Sequence, residues 1–464
     1  MHKEPIQLLE GNRGGQVDEE AARDDIVPSN QMSLDDFEAG FIVDESCTEC
    51  DENVNDEASI HEVFEYFVAS GDFGLECDVE RNRKTIPKRE HHDKDVPSDA
   101  EVIIVMYHAS DIHLVLHEFV KKAKEKLSIE TWDYLIGGSE TETTFKRNRF
   151  ALDNLAFRPR VLRDVENVDI TSKFLGHELR IPVILAPIGS MQDFVEGAGL
   201  APTLAAAEFG AMHMISSTCM PGLEEVAKSA NYPKCFQLYV RGDQEWVDNN
   251  IKLAMKYNYS AICLTVDLDA YGRRERDLAK RYRTTSRQSA SGFEYQMRFS
   301  WDDIDRIKSY CHLPIIIKGI ATKEDALLAI DHGVEMIYVS NHGGRQLDYG
   351  IGGLNVLPEI VEAVGKKAKI IFDGGIMRGT DVVKAIALGA DFVGIGRLQG
   401  FAAAAGGTKA IVRMLELLEL EILTTMRLLG VNSLSGLDDT YLGRDFSFGN
   451  PDVLSPFPLI NEGY

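Results

Sequence analysis

Ser340-Asn341-His342-Gly343-Gly344-Arg345-Gln346-Leu347-Asp348 sets a base and a fixed cation three residues apart in one glycine-loosened stretch. Neutral imidazole can take up a proton near pH 7, and a guanidinium can grip a carboxylate through two parallel bonds. Together they suit removal of a proton from a hydroxy acid held by its carboxylate. A plainer reading is a polar loop whose His342 and Arg345 only satisfy backbone carbonyls. Met336-Ile337-Tyr338-Val339 precedes it, an apolar run of the kind a buried parallel strand gives. Both side chains are therefore expected just beyond a strand's carboxyl end.

The elements that would position them are legible as an alternation. Short apolar strands are expected at Ile181 to Ala186, Met212 to Ile215, Cys235 to Val240, Ala261 to Val266, Pro314 to Ile317, Met336 to Val339, Ile370 to Phe372 and Phe392 to Ile395. Helix-length stretches separate them, which is the mark of parallel βαβ units, and eight such units close a barrel. An open doubly wound sheet alternates in the same way, and periodicity does not separate the two. Ahead of the strands, Leu114, Phe119, Ala123 and Leu127 are spaced for a helix that runs on to Trp132-Asp133-Tyr134.

The His342 loop does not stand alone. With Ile315-Ile316-Ile317-Lys318-Gly319 before it and Phe372-Asp373-Gly374-Gly375 and Gly394-Ile395-Gly396-Arg397 after it, it resembles the FMN-dependent α-hydroxy acid oxidases and dehydrogenases. The resemblance runs from about Leu114 to about Leu437. It implies an α/β chain folded as a (β/α)8 TIM barrel that binds FMN and oxidises an L-2-hydroxy acid to a 2-keto acid. Oxygen or another acceptor would take the electrons, and the protein would be a homotetramer or other homo-oligomer.

By the same resemblance His342 is the base and Asp267 the carboxylate that pairs with it. Arg345 and Arg274 hold the substrate carboxylate, with Tyr134 and Tyr239 as further substrate contacts. Pro187-Ile188-Gly189-Ser190 passes the flavin N5 edge, and Ser216, Gln237, Thr265 and Ser340 meet the cofactor. Lys318 lies against the N1 and O2 edge, where a fixed cation stabilises charge that appears on reduction. Asp373, Gly374, Gly375, Gly396 and Arg397 form the phosphate end, as the last two loops of such barrels often do.

Three departures stand out. Met377 occupies a position where the family often has an arginine near the phosphate, so Arg397 and backbone amides are expected to carry that load. Thr218 replaces an aromatic residue that caps the pocket in glycolate oxidases, and the loop from Tyr282 to Ser300 is shorter than theirs. A wider pocket is the expectation, leaving open a larger metabolite or modified peptide as substrate. A catalytically silent flavin-binding barrel is the remaining alternative. Gly394-Ile395-Gly396-Arg397-Leu398-Gln399-Gly400 only superficially matches a dinucleotide fingerprint, since its last glycine is one residue late.

The net charge of -25 is unevenly spread: residues 1 to 80 hold 23 acidic and 3 basic side chains. Neither region offers the basic surface that nucleic acid or anionic lipid needs. Residues 1 to 110 read as an acidic extension, mostly disordered, with one short helix starting at Ser59, and residues 111 to 464 as the barrel with leading and C-terminal helices. Cys47 and Cys50 make a lone Cys-x-x-Cys without a second pair, so no metal site is expected. Seven irregularly spaced cysteines, no apolar leader, no run of about 18 apolar residues and no Ser-Lys-Leu ending make a cytoplasmic protein the expectation.

Overall fold

The computed structural model describes residues 113–288, 294–445 and 449–462. The acidic extension, its helix at Ser59 and the Cys47 and Cys50 pair lie outside the described residues.

Eight parallel strands form a closed barrel: β1 (Val183–Leu185), β2 (Met212–Ser216), β3 (Lys234–Leu238), β4 (Ala261–Thr265), β5 (Ile315–Ile320), β6 (Met336–Val339), β7 (Lys369–Phe372) and β8 (Phe392–Ile395). Each pairs with the next, and Val393 of β8 opposite Val183 of β1 closes the ring. All eight expected strands are present. β1 is shorter than the apolar run because Pro182 has no N–H to donate, and its carbonyl instead accepts from Val393 N at 2.9 Å. β5 is longer. It continues past Lys318 to Ile320 with a register shift, so Lys318 stands within the strand rather than at its end.

Side chains alternate along the strands as their two-residue period requires. Ile184, Met212, Met214, Cys235, Cys263, Ile316, Met336, Tyr338, Ile371 and Phe392 fill the barrel interior. Val183, Leu185, Ile215, Phe236, Leu238, Ile262, Leu264, Ile315 and Ile317 face the helices. A hairpin of Ser172–Phe174 and His177–Leu179 sends Phe174 and Leu179 into the interior cluster, with Phe174 edge-on to Phe392 at 4.9 Å. Phe392 opens β8, so the hairpin closes the end where the strands begin and leaves the other end for chemistry.

The expected continuous leading helix is instead two, Leu116–Lys126 and Ile129–Ile136. Ser128 breaks it by accepting from Thr131 N at 3.3 Å, an N-cap that a helix interior cannot provide. A helix over Arg397–Leu429, interrupted at Gly406 and Gly407, packs against Leu116–Lys126. Cys219, Cys235, Cys263 and Cys311 are free and buried. Among the described residues no helix is long and apolar enough to cross a membrane.

Candidate active site

The loop after β6 is fastened by the helix Thr143–Asp153, which the strand pattern gave no reason to single out. Asn148 and Asn341 exchange amide bonds at 2.8 and 2.7 Å. Thr144 N donates to Asp348 Oδ1 at 2.8 Å, and Arg147 donates to the carbonyls of Tyr349 and Gly350 at 2.7 and 3.0 Å. Held at both ends, the loop keeps His342 at φ +58°, a left-handed conformation uncommon in residues other than glycine. Ser340 Oγ accepts from His342 N at 3.0 Å.

His342 Nδ1 lies 2.8 Å from Asp267 Oδ1, and Nε2 lies 3.2 Å from the Tyr239 hydroxyl. Burial pushes the Asp267 carboxyl up, but His342 and Lys318 together hold it below its ordinary value, so it is ionised. An ionised carboxylate at Nδ1 puts the ring proton there and leaves Nε2 as the acceptor. Burial also raises the Tyr239 hydroxyl, which therefore stays a donor to Nε2. For His342 itself burial outweighs Asp267, and the net direction is below 6.5. The imidazole is neutral at pH 7 and Nε2 can accept a proton.

Arg345 does satisfy backbone carbonyls, as the plainer reading had it: Nη1 donates to Tyr134 O at 2.8 Å and Gly137 O at 2.9 Å. It also lines the cavity that His342 lines. Arg274 is buried, donates from Nε to Arg345 O at 3.4 Å, and lines the same cavity. Tyr134 lies between them, its ring centre 4.7 Å from the Arg345 guanidinium and 5.6 Å from that of Arg274. Burial pushes the Tyr134 hydroxyl up, yet Arg345, Arg274 and the bond to Ser190 Oγ bring it below its ordinary value.

Lys318 is buried, donates to Ser340 Oγ at 2.8 Å and pairs with Asp373 Oδ2 at 3.3 Å. Burial would lower its pKa, but Asp373 and Asp267 raise it overall, so it is a fixed cation. Gly319, at φ +115°, makes this possible: a Cβ there would sit 2.8 Å from that of Asp267. Ile188, Gly189, Gly374, Gly375, Gly396 and Arg397 line the cavity too, whereas Ser216, Gln237, Thr265, Ser340 and Asp267 do not; Ser216, Ser340 and Asp267 are bonded to the lining residues Thr218, Lys318 and His342. Asp373 lines it as well, with its carboxylate turned to Lys318 and Ser340.

A family model described as FMN-dependent dehydrogenase matches residues 123–444. The chain belongs to that family. It is 37% identical over 361 residues to glycolate oxidase 3 of Arabidopsis thaliana, covering 73% of this chain and 97% of that protein. It is 36% identical over 355 residues to L-lactate oxidase of Nostoc sp., covering 70% of this chain and 97% of the relative. A structure of mandelate oxidase with benzoyl-formic acid superposes with a TM-score of 0.67 at 33% identity, covering 72% of this chain and 99% of the other.

The residues of this FMN-dependent dehydrogenase fit the cofactor. Gln237 Nε2 donates to Thr265 Oγ1 at 2.9 Å, while the buried Oε1 has no donor among the described residues and suits a ring N–H. Gly374 and Gly375 both have positive φ, and a Cβ on Gly396 would meet nothing within 4 Å, so there is room at the start of the helix Arg397–Leu429. Arg397 is anchored on the carbonyls of Gly343 and Gly137 at 3.0 and 2.7 Å. Met377 is buried, lines the same cavity and brings no charge. Arg149, unmarked in the sequence, donates to Gly375 O at 2.8 Å while paired with Asp381, and so holds the loop of Gly374 and Gly375.

Proposed function

We propose that this enzyme oxidises an L-2-hydroxy acid to the 2-keto acid, with His342 as base and Arg345 and Arg274 on the carboxylate. The observation that carries the reading is His342 Nε2, set as an acceptor by Asp267 and opening on a cavity walled by two guanidiniums. FMN, when bound, takes two electrons from the substrate and passes them to oxygen or another acceptor. Arg345 and Arg274 fix the acid end, so that a proton of the substrate reaches Nε2. As that proton arrives, Asp267 stabilises the imidazolium, and Tyr239 turns its hydroxyl from Nε2 to the incoming oxygen. Lys318 would supply positive charge to the flavin ring, and Gln237 and Thr265 would hold its polar edge. Ile188 and Gly189 would flank the ring, and Arg397 with the backbone of Gly374, Gly375 and Gly396 would receive the phosphate.

Mixing the purified yellow protein anaerobically with a panel of 2-hydroxy acids tests this, with bleaching of the flavin band as the readout. Bleaching by L acids and not their D forms is expected; none with any member rejects the proposal. The exposed apolar side chains of Leu347, Tyr349 and Ile351 support a homo-oligomer, which sedimentation would measure. Buried free thiols support a reducing, cytoplasmic setting.

A further inference from the structure

Two arginines of the cavity have no part in the reaction just described. Arg241 stands two residues past Tyr239 beyond β3, and Arg287 on the short helix Thr285–Gln288; both line the cavity that holds His342. We propose that they receive a second acidic group at the far end of the substrate, which makes this an oxidase or dehydrogenase of hydroxy diacids or phosphorylated hydroxy acids. The proposal rests on the hydroxy acid reading above.

Arg287 is built into the wall of the carboxylate clamp. Its guanidinium lies 3.6 Å from the centre of the Tyr271 ring, and that of Arg274 lies 4.3 Å from the same centre. Two planar cations so close to one ring must take its opposite faces. Since Tyr134 is likewise flanked by Arg274 and Arg345, cation and ring alternate from Arg345 through Tyr134, Arg274 and Tyr271 to Arg287. Stacking holds each guanidinium by its face and leaves its N–H edge for a carboxylate or phosphate. Arg241 joins the same wall, donating to Ser286 O at 3.2 Å, and Ser286 Oγ meets Ser190 Oγ at 2.8 Å.

Charge makes the case for a second anion. Four guanidiniums, those of Arg241, Arg274, Arg287 and Arg345, face this part of the cavity. The acid buried among them is Asp277, which acts on Arg274, Arg287 and Arg345 but stands at ion-pair distance from none. Asp267 is committed to His342. Against Arg274, Arg287 and Arg345 alone, one substrate carboxylate and Asp277 leave a positive excess in a partly buried wall, a costly arrangement that a second anion relieves. Arg287 is one stacked ring away from the clamp, so the second group belongs at the end of a short chain.

The test uses the flavin-loaded full-length protein and anaerobic flavin reduction. The probes are (S)-2-hydroxypentanedioate, its neutral 5-amide of the same shape, 2-hydroxy-4-phosphonooxybutanoate, and plain 2-hydroxypropanoate and hydroxyacetate. The diacid or the phosphate ester should exceed the amide at least tenfold in rate constant over Kd, and whichever leads identifies the anion. Arg287→Gln and Arg241→Gln should each cut that preference at least tenfold, and Arg287→Glu should favour 5-amino-2-hydroxypentanoate over the diacid. Equal efficiency with diacid and amide in the wild type overturns the inference and leaves the hydroxy acid reading standing. A preference untouched by both variants overturns the assignment to these arginines. Should the variants lose FMN, the wild-type comparison and its weakening by salt decide alone. No reduction by any probe overturns inference and reading together.

Discussion

Thr218 Oγ1 donates to the Gly189 carbonyl over 3.1 Å, and a methyl group on Gly189 would collide with that same hydroxyl. Gly189 is therefore fitted to Thr218, the residue that stands where the family resemblance leads one to expect an aromatic. Ser216 Oγ, 3.2 Å from Thr218 Oγ1, ties the pair to the end of β2.

Gly189→Ala should accordingly lower thermal stability by about 1–3 kcal/mol, the usual range for overpacking a tight interior. It should also loosen FMN, whose ring is proposed to run past this backbone. Adding Thr218→Ala removes the colliding atom, leaving contacts of 3.6 Å or more. The double variant should recover most of the loss in a melting experiment; a double variant as weak as the single would show that the two residues are independent.

The pH dependence follows from His342. Burial holds its imidazole below 6.5 against the pull of Asp267, so flavin reduction should be flat through neutral pH and fall only in the acid range as Nε2 is protonated. Asp267→Asn removes the group that raises this pKa. The acid limb should then move to lower pH, while the rate drops by about a hundredfold or more as the tautomer is lost. A limb that moves upward would mean that another group titrates.

On the proposed reading, Met377 and Arg397 set how firmly FMN is kept. Arg397 is the cation left for the proposed phosphate site, because Arg378 is turned to Glu421 and Arg149 is paired with Asp381. Arg397→Ala should give protein that loses flavin on gel filtration. Met377→Arg should lower the Kd for FMN by about tenfold, roughly 1.4 kcal/mol. Unchanged retention in both would place the phosphate elsewhere.

Removing residues 1–112 should leave flavin content and turnover intact, since every residue assigned to the site lies between Tyr134 and Arg397. A truncated protein that holds FMN but no longer turns over would give the extension a part in catalysis.

Strands and the His342 loop were legible because an apolar run followed by polar residues states both a buried strand and its functional end. Lys318 was placed slightly wrongly, for Gly319 reads as a strand break although here it lets β5 continue past Asp267. The break at Ser128 was missed since helical spacing resumes beyond it in nearly the same phase. Asn148 and Arg149 left no signal at all. Their partners, Asn341 and Asp381, are 193 and 232 residues away, and no local pattern reports such pairings. Tyr271 and Arg287 were passed over for the same reason, as their stacking depends on how a loop closes over the barrel.

The base and the carboxylate clamp should separate in kinetics. His342→Gln keeps much of the side-chain bulk but removes the acceptor that Asp267 orients, so substrate should still bind while anaerobic flavin reduction slows by about a hundredfold or more. Arg345→Ala takes away a contact made in both the ground and the transition state, and it also cuts the bonds to Tyr134 O and Gly137 O that seat the helix Ile129–Ile136. Its Kd for substrate should rise along with the loss of rate. The measurement is the flavin reduction rate as a function of substrate concentration, which yields the limiting rate and Kd separately. A His342→Gln variant with a near-normal limiting rate would remove this residue from the role of base, whatever becomes of Arg345.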